Sequence, residues 1–271
     1  DAFADAKLSG VFRHRNVAKL LFVHMLGYPT HFGQMECVQL TAMPDYANKR
    51  LGYLGLMTLM DERSEVTMLI TNSVKSDLMS TNVYVVGLGL CALGNICTGE
   101  MARDVSEEVR KLMLSKNSYV RKKAALCLLR LFRKMPEILN PEEFSAKMAY
   151  LLEEKDLGIC LAVVTLLDGI VSVGDYRGYE NCVSPLVSLL ERVVKNRDVL
   201  PEYLYYGIPA PWLQARIMRV LRKFPTPEDA ETLGAELAIL KKILTGTEKV
   251  ANVNKNNALN AVLFEVIALT T

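Results

Sequence analysis

The sequence has little of what enzymes and nucleic-acid binders are built around. Three of its 271 residues are histidine and one is tryptophan. Lysine and arginine number 32 against 30 aspartates and glutamates, which leaves a net charge of +2. That near balance excludes a disordered acidic or basic tail, and it excludes wholesale nucleic-acid binding, which needs a strongly basic domain. Any anion-binding surface must therefore be local. None of the six cysteines (Cys37, Cys91, Cys97, Cys127, Cys160 and Cys182) belongs to a Cys-x-x-Cys pair. Most sit among Leu, Val and Ala, where a thiol behaves as a small hydrophobe, so the chain reads as one of a reducing, cytosolic compartment without a disulfide framework. No secretory signal opens it, because Asp1-Ala2-Phe3-Ala4-Asp5 is acidic and leads to no apolar segment. The first residue is not methionine and Val262–Thr271 reads as an unfinished helix, so a fragment of a longer chain is expected.

Long apolar runs are also missing. The stretch from Leu78 to Gly99 holds no charge, but Ser80, Thr81, Asn82, Asn95 and Thr98 interrupt it. A bilayer span needs about 20 predominantly apolar residues, so a helix buried within protein is the reading. Catalytic constellations are weak. Gly87-Leu88-Gly89 with Gly94 lacks the dinucleotide spacing and follows no strand; glycines that let helices approach are the better reading. His24, His31, Glu36 and Cys37 match neither a pair of histidines one helical turn apart nor a zinc-finger spacing. No enzyme, cofactor or metal site is expected.

What the sequence does have is helical periodicity. Val120, Ala124, Cys127, Leu128 and Leu131 fall at i, i+4, i+7, i+8 and i+11, as do Leu213, Ile217, Val220, Leu221 and Phe224. Leu259, Leu263, Val266 and Ile267 begin the pattern again. Arg121-Lys122-Lys123 reads as a solvated face at a helix start. Sustained apolar/polar alternation is hard to find, so strands are not expected. Asn140-Pro141-Glu142-Glu143 and Thr226-Pro227-Glu228-Asp229 each place a cap and then a proline, and Pro136 and Pro225 stop the preceding helices.

Comparable helices begin near Asn48, Asn82, Asn117 and Asp156, in steps of 34, 35 and 39 residues. Uneven steps without a tetratricopeptide pattern favour a degenerate armadillo/HEAT array. The expected fold is all-α: one α-solenoid of armadillo/HEAT-like helical repeats over 1–271, a right-handed superhelical array without a domain boundary. The polar stretch Thr245–Asn257 reads as a loop between two helices of that array.

Several stretches carry a resemblance. They are Arg15–Phe22 with His24–Tyr28, Phe32–Glu36, Lys49–Leu54, Arg121–Leu131 and Leu157-Gly158. Together they resemble the trunk of the large adaptin subunits of heterotetrameric clathrin adaptor complexes. Glu202–Gln214, Asn252–Asn257 and Asn260–Glu265 are similar to the α-adaptin form, while His24–Pro29 is also compatible with γ-adaptin of the Golgi/endosomal adaptor. The resemblance implies a scaffold that assembles with σ (small), μ (medium) and β-adaptin subunits. It implies recruitment to the cytosolic face of the plasma membrane, at clathrin-coated pits, for endocytosis and cargo sorting. Clathrin binding would belong to regions absent from this sequence. A nuclear-import carrier is the alternative from another class, but its ladder of tryptophans is missing here.

The resemblance also implies a lipid site. Arg13, His14, Arg15 and Lys19 stand where the family holds a lysine cluster for the head group of phosphatidylinositol 4,5-bisphosphate. Clustered cations near a helix N-terminus suit a multiply charged phosphate. His14 in place of lysine, and Asn16 in place of tyrosine, imply a weaker version that tightens on mild acidification.

Overall fold

A computed structural model describes residues 3, 10–60, 66–173, 175–247 and 249–271. Most of the acidic opening (Asp1, Ala2, Ala4 and Asp5) lies outside the described residues. The chain packs as two compact units, 1–138 and 139–271.

Unit 1 holds α1 (Gly10–Met25), α2 (Gln34–Ala42), α3 (Tyr46–Leu59), α4 (Val66–Leu78), α5 (Val83–Ile96), α6 (Gly99–Leu112) and α7 (Ser118–Lys134). Odd-numbered helices pack on one another in sequence, α1 on α3, α3 on α5 and α5 on α7. Even-numbered helices form a second layer, α2 on α4 and α4 on α6. Unit 2 repeats the scheme with α8 (Pro141–Leu152), α9 (Leu157–Val173), α10 (Val183–Val194), α11 (Pro211–Leu221), α12 (Ala230–Gly246) and α13 (Val253–Thr270). There α9, α11 and α13 make one layer and α8, α10 and α12 the other. Two layers of helix pairs, each burying its apolar face on the next, define the all-α, armadillo/HEAT-like solenoid class. Among the described residues, no helix is long and apolar enough to cross a membrane.

The caps carry the repeat. Asn82 accepts from Tyr84 N, Asn117 from Tyr119 N and Val120 N, Asn140 from Glu142 N, and Asp156 from Gly158 N and Ile159 N. Each satisfies donors that a first helical turn leaves without partners. Two starts differ from the sequence reading. Asp45, not Asn48, caps α3, by accepting from Asn48 N. Asp229, not Thr226, caps α12, because its carboxylate takes Glu231 N, Thr232 N and the Thr232 hydroxyl together.

The predicted stripes of α7 and α11 are buried at every position. In α13 the period holds but the phase is off: Ala258, Val262 and Val266 are buried, while Ile267 is exposed. The polar stretch 245–257 shortens to a connection between Gly246 and Val253, since Asn252 caps α13 and the remaining asparagines sit within the helix. One strand pair was not anticipated. β1 (Leu204–Tyr205) pairs antiparallel with β2 (Ile208–Pro209). Tyr206 and Gly207 between them both have positive φ (49° and 79°), as a two-residue hairpin requires.

One polar network lies inside unit 1. Asp77 of α4 accepts from Lys49 Nζ at 2.8 Å and from Tyr53 OH at 2.7 Å, both of α3. Lys49 Nζ also donates to the Thr41 carbonyl of α2 at 2.7 Å. Burial, then the bond to Asp77, pushes the Tyr53 hydroxyl well above the usual tyrosine range.

Candidate functional site

The four residues expected to hold a head group all lie on α1, but they do not share a face. Arg13 is buried together with Val17, Leu20 and Leu21, at i, i+4, i+7 and i+8. It therefore occupies the first position of the inward stripe. Its guanidinium pairs with Glu36 and donates to Gln39, both of α2. His14 is half-buried, with Nδ1 2.9 Å from Asn48 Oδ1 of α3. Arg15 and Lys19 are exposed and stand four residues apart, so they point outward together. The sequence carried a signal for this division, since Arg13 is in phase with the apolar stripe that follows and Arg15 is out of phase.

The histidines and acids considered for a metal are dispersed. His24 Nδ1 lies 2.8 Å from Thr30 Oγ1, and Glu36 is engaged by Arg13. Cys37 is fully buried, and desolvation, with Glu36 nearby, pushes its thiol up to about 12. No group of three or more metal-ligating side chains occurs among the described residues.

The basic run of α7 is not the solvated face that the sequence suggested. Arg121, Lys122 and Lys123 are all half-buried. Lys123 Nζ donates to Cys91 Sγ at 2.8 Å and lies 5.5 Å from the centre of the Tyr119 ring. Burial works most strongly against its charge, but the bond to Cys91 and the charge interactions with Cys91, Tyr119 and Tyr46 together outweigh it and hold the ammonium above the ordinary lysine range. The sequence offered no signal for this contact, because Cys91 is 32 residues away on another helix.

An apolar surface accompanies the exposed cations. Phe12 and Phe22 of α1 are exposed, and Met25, Leu26, Tyr28 and Phe32 follow them. A monomer rarely leaves so many large apolar side chains together in water, and such surfaces mark contact with other chains.

Comparison with known proteins agrees with the helical-repeat scaffold. Residues 5–271 match the family described as Adaptin N terminal region. The chain is 44% identical over 259 residues to AP-2 complex subunit alpha-1 of Arabidopsis thaliana, covering 95% of this chain and 26% of that protein. It is 47% identical over 260 residues to AP-1 complex subunit gamma-1 of the same organism, covering 94% and 28%. The chain thus spans about a quarter of the length of these curated relatives. A chain in a homology model of the full-length AP-3 complex, in an intermediate open conformation, superposes with a TM-score of 0.66 at 20% identity. That likeness covers 95% of this chain and 41% of the other, and it speaks for the fold. The match runs almost end to end, on two layers of capped helix pairs, and the chain belongs to the adaptin family of large adaptor subunits.

Proposed function

We propose that the chain is the N-terminal trunk of a large subunit of a heterotetrameric clathrin adaptor complex, a scaffold and not an enzyme. It assembles with σ, μ and β-adaptin subunits and serves vesicle-mediated transport and cargo sorting on the cytosolic face of a membrane. The adaptin match over residues 5–271 carries this reading and sets aside the nuclear-import alternative. The exposed apolar side chains from Phe12 to Phe32 support it, as a surface for another subunit. Co-expression with a small σ subunit is expected to raise the melting temperature, because a ligand that binds only the folded state stabilises it by mass action. A monodisperse chain whose melting is unmoved by any σ subunit counts against assembly.

The α-type reading places the complex at the plasma membrane and at clathrin-coated pits. What supports it is the similarity of Glu202–Gln214 to the α-adaptin form. A γ-type reading, for a Golgi/endosomal adaptor, is favoured by the slightly higher identity to the gamma-1 relative. Comparing σ subunits of the two adaptor types in the same melting experiment separates the readings.

For the lipid site, the proposal narrows to Arg15 and Lys19 as the cations that meet a phosphatidylinositol 4,5-bisphosphate head group. Arg13 and His14 are positioning residues that tie α1 to α2 and α3. Each cation near an anionic surface contributes on the order of 1 kcal/mol. Arg15→Gln with Lys19→Gln is therefore expected to weaken binding to phosphoinositide liposomes by roughly tenfold or more, most clearly at low salt, with melting unchanged. Unaltered co-sedimentation of that variant removes both residues from the site.

A further inference from the structure

The odd-numbered layer of unit 1 is electrostatically one-sided. Helices α3, α5 and α7 carry eight lysines and arginines and no aspartate or glutamate. By contrast α6 mixes Glu100, Asp104, Glu107 and Glu108 with Arg103, Arg110 and Lys111. The asymmetry is local, since the chain as a whole has a net charge of only +2.

The same layer presents a row of aromatic rings. Tyr46, Tyr84 and Tyr119 each stand in the first turn of their helix, just behind the caps Asp45, Asn82 and Asn117. The centres of Tyr46 and Tyr84 are 6.4 Å apart, and those of Tyr84 and Tyr119 6.1 Å. All three rings are exposed, by 39%, 61% and 36%. Tyr119 is held down on α5 at Gly87, where a Cβ would lie 2.4 Å from its hydroxyl.

One turn further along the three helices come Arg50, Leu88 and Lys123. Beyond them a groove of about 370 Å³ runs between α5 and α7, with Leu90, Cys91 and Leu126 among its apolar lining and Lys122, Lys123 and Arg130 as its cations. Arg50 and Arg130 are exposed.

Two spacings fit one kind of occupant. Alternate side chains of an extended peptide are about 6.7 Å apart, close to the spacing of the rings. Adjacent packed helices lie about 8–10 Å apart, so Arg50 and Lys123 are separated by roughly the reach of six extended residues. We propose that this face binds an extended acidic peptide segment of a partner protein. The segment lies across α3, α5 and α7, with alternate side chains on the tyrosine rings and carboxylates on Arg50, Lys123 and Arg130. Charge complementarity selects an acidic partner: the three helices hold no carboxylate of their own, and Asp45 at the cap of α3 stands at the ring row, one turn before Arg50. Tyrosine and arginine are also the side chains that anchor peptide interfaces. A flat anionic bilayer suits the face less well, because Lys123 lies down on Cys91 and Tyr119 beside a narrow groove and does not stand out from the surface. The inference rests on α3, α5 and α7 alone and is independent of the lipid site on α1.

Fluorescence anisotropy tests it, with the 271-residue chain and a labelled peptide of alternating glutamate and leucine. Saturable binding that weakens with salt is expected, and none by the lysine–leucine counterpart. Arg50→Glu with Arg130→Glu changes two exposed residues, so the fold survives while affinity falls by about tenfold or more. Tyr84→Ala is expected to weaken binding through the ring row with the charges intact. Absence of saturable binding overturns the proposal, and so does equal affinity in the charge-reversed variant. If that variant loses binding to phosphatidylserine vesicles and the acidic peptide does not compete with them, the face belongs to a membrane and the peptide is excluded.

Discussion

Replacing Asp77 by alanine is expected to destabilise the chain by about 3–5 kcal/mol, because removing one partner of a buried ion pair strands the other. Lys49 and Asp77 are 12% and 7% exposed at their side chains, so water replaces little of what is lost. The lysine ammonium would keep only the Thr41 carbonyl, and the buried Tyr53 hydroxyl would lose its acceptor. A melting temperature lower by on the order of 10 °C is the expected readout for a chain of this size. The cause is separable by a second change. Lys49→Met in the Asp77→Ala background removes the stranded charge and is expected to recover part of the stability. If the two substitutions simply add, the ion pair is not what holds α3 to α4.

Gly52→Ala reverses the usual sign of its substitution. In an exposed helix interior, alanine in place of glycine stabilises by about 0.8–1.0 kcal/mol. At Gly52 of α3 the added Cβ would lie 2.7 Å from Thr41 N and 2.8 Å from the Cys37 carbonyl oxygen. Both atoms are backbone, so no rotamer change relieves the clash and α2 must move away from α3. We expect a loss of about 3 kcal/mol, the upper part of the range for overpacked cores. Gly234 of α12 is the control, because a Cβ there meets nothing within 4 Å. Chemical denaturation of the two variants should shift the midpoint in opposite directions. A Gly52→Ala chain as stable as the parent would show that the two helices are not packed so closely.

Local features were the most legible in the sequence. Asn82, Asn117 and Asn140 act on donors two or three residues away, so their spacing alone marks the helix starts. The stripes of α7 and α11 could be read because each helix buries one face, and periodicity reports that directly. Where two capping residues compete, sequence is a poorer guide: Thr226 stands before a proline, yet Asp229 three residues on takes the first-turn donors of α12. The phase of α13 was lost for a related reason. Every third or fourth position there is apolar on more than one face, and only packing against α11 and α12 selects Ala258, Val262 and Val266. Arg13 was assigned to a ligand because its partner Glu36 lies 23 residues away, beyond any local pattern. The tyrosine row is longer range still: each ring is an ordinary helix residue until α3, α5 and α7 are set side by side.

The distribution of buried thiols gives the molecule a set of internal clocks. Cys37 lies in α2, Cys127 in α7, Cys160 in α9 and Cys182 just before α10, and none forms a disulfide. Each is buried, and desolvation raises each thiol, to about 12 for Cys37 and Cys182 and to about 11 for Cys160. A closed site therefore reacts with an alkylating reagent hardly at all, and the rate of labelling at each sulfur measures how often its own helix pair opens. Within each unit, where helix pairs pack on their neighbours, those rates are coupled. A subunit that docks on one pair would then be seen as slower alkylation at the nearest cysteine and, more weakly, at the next one along in the same unit.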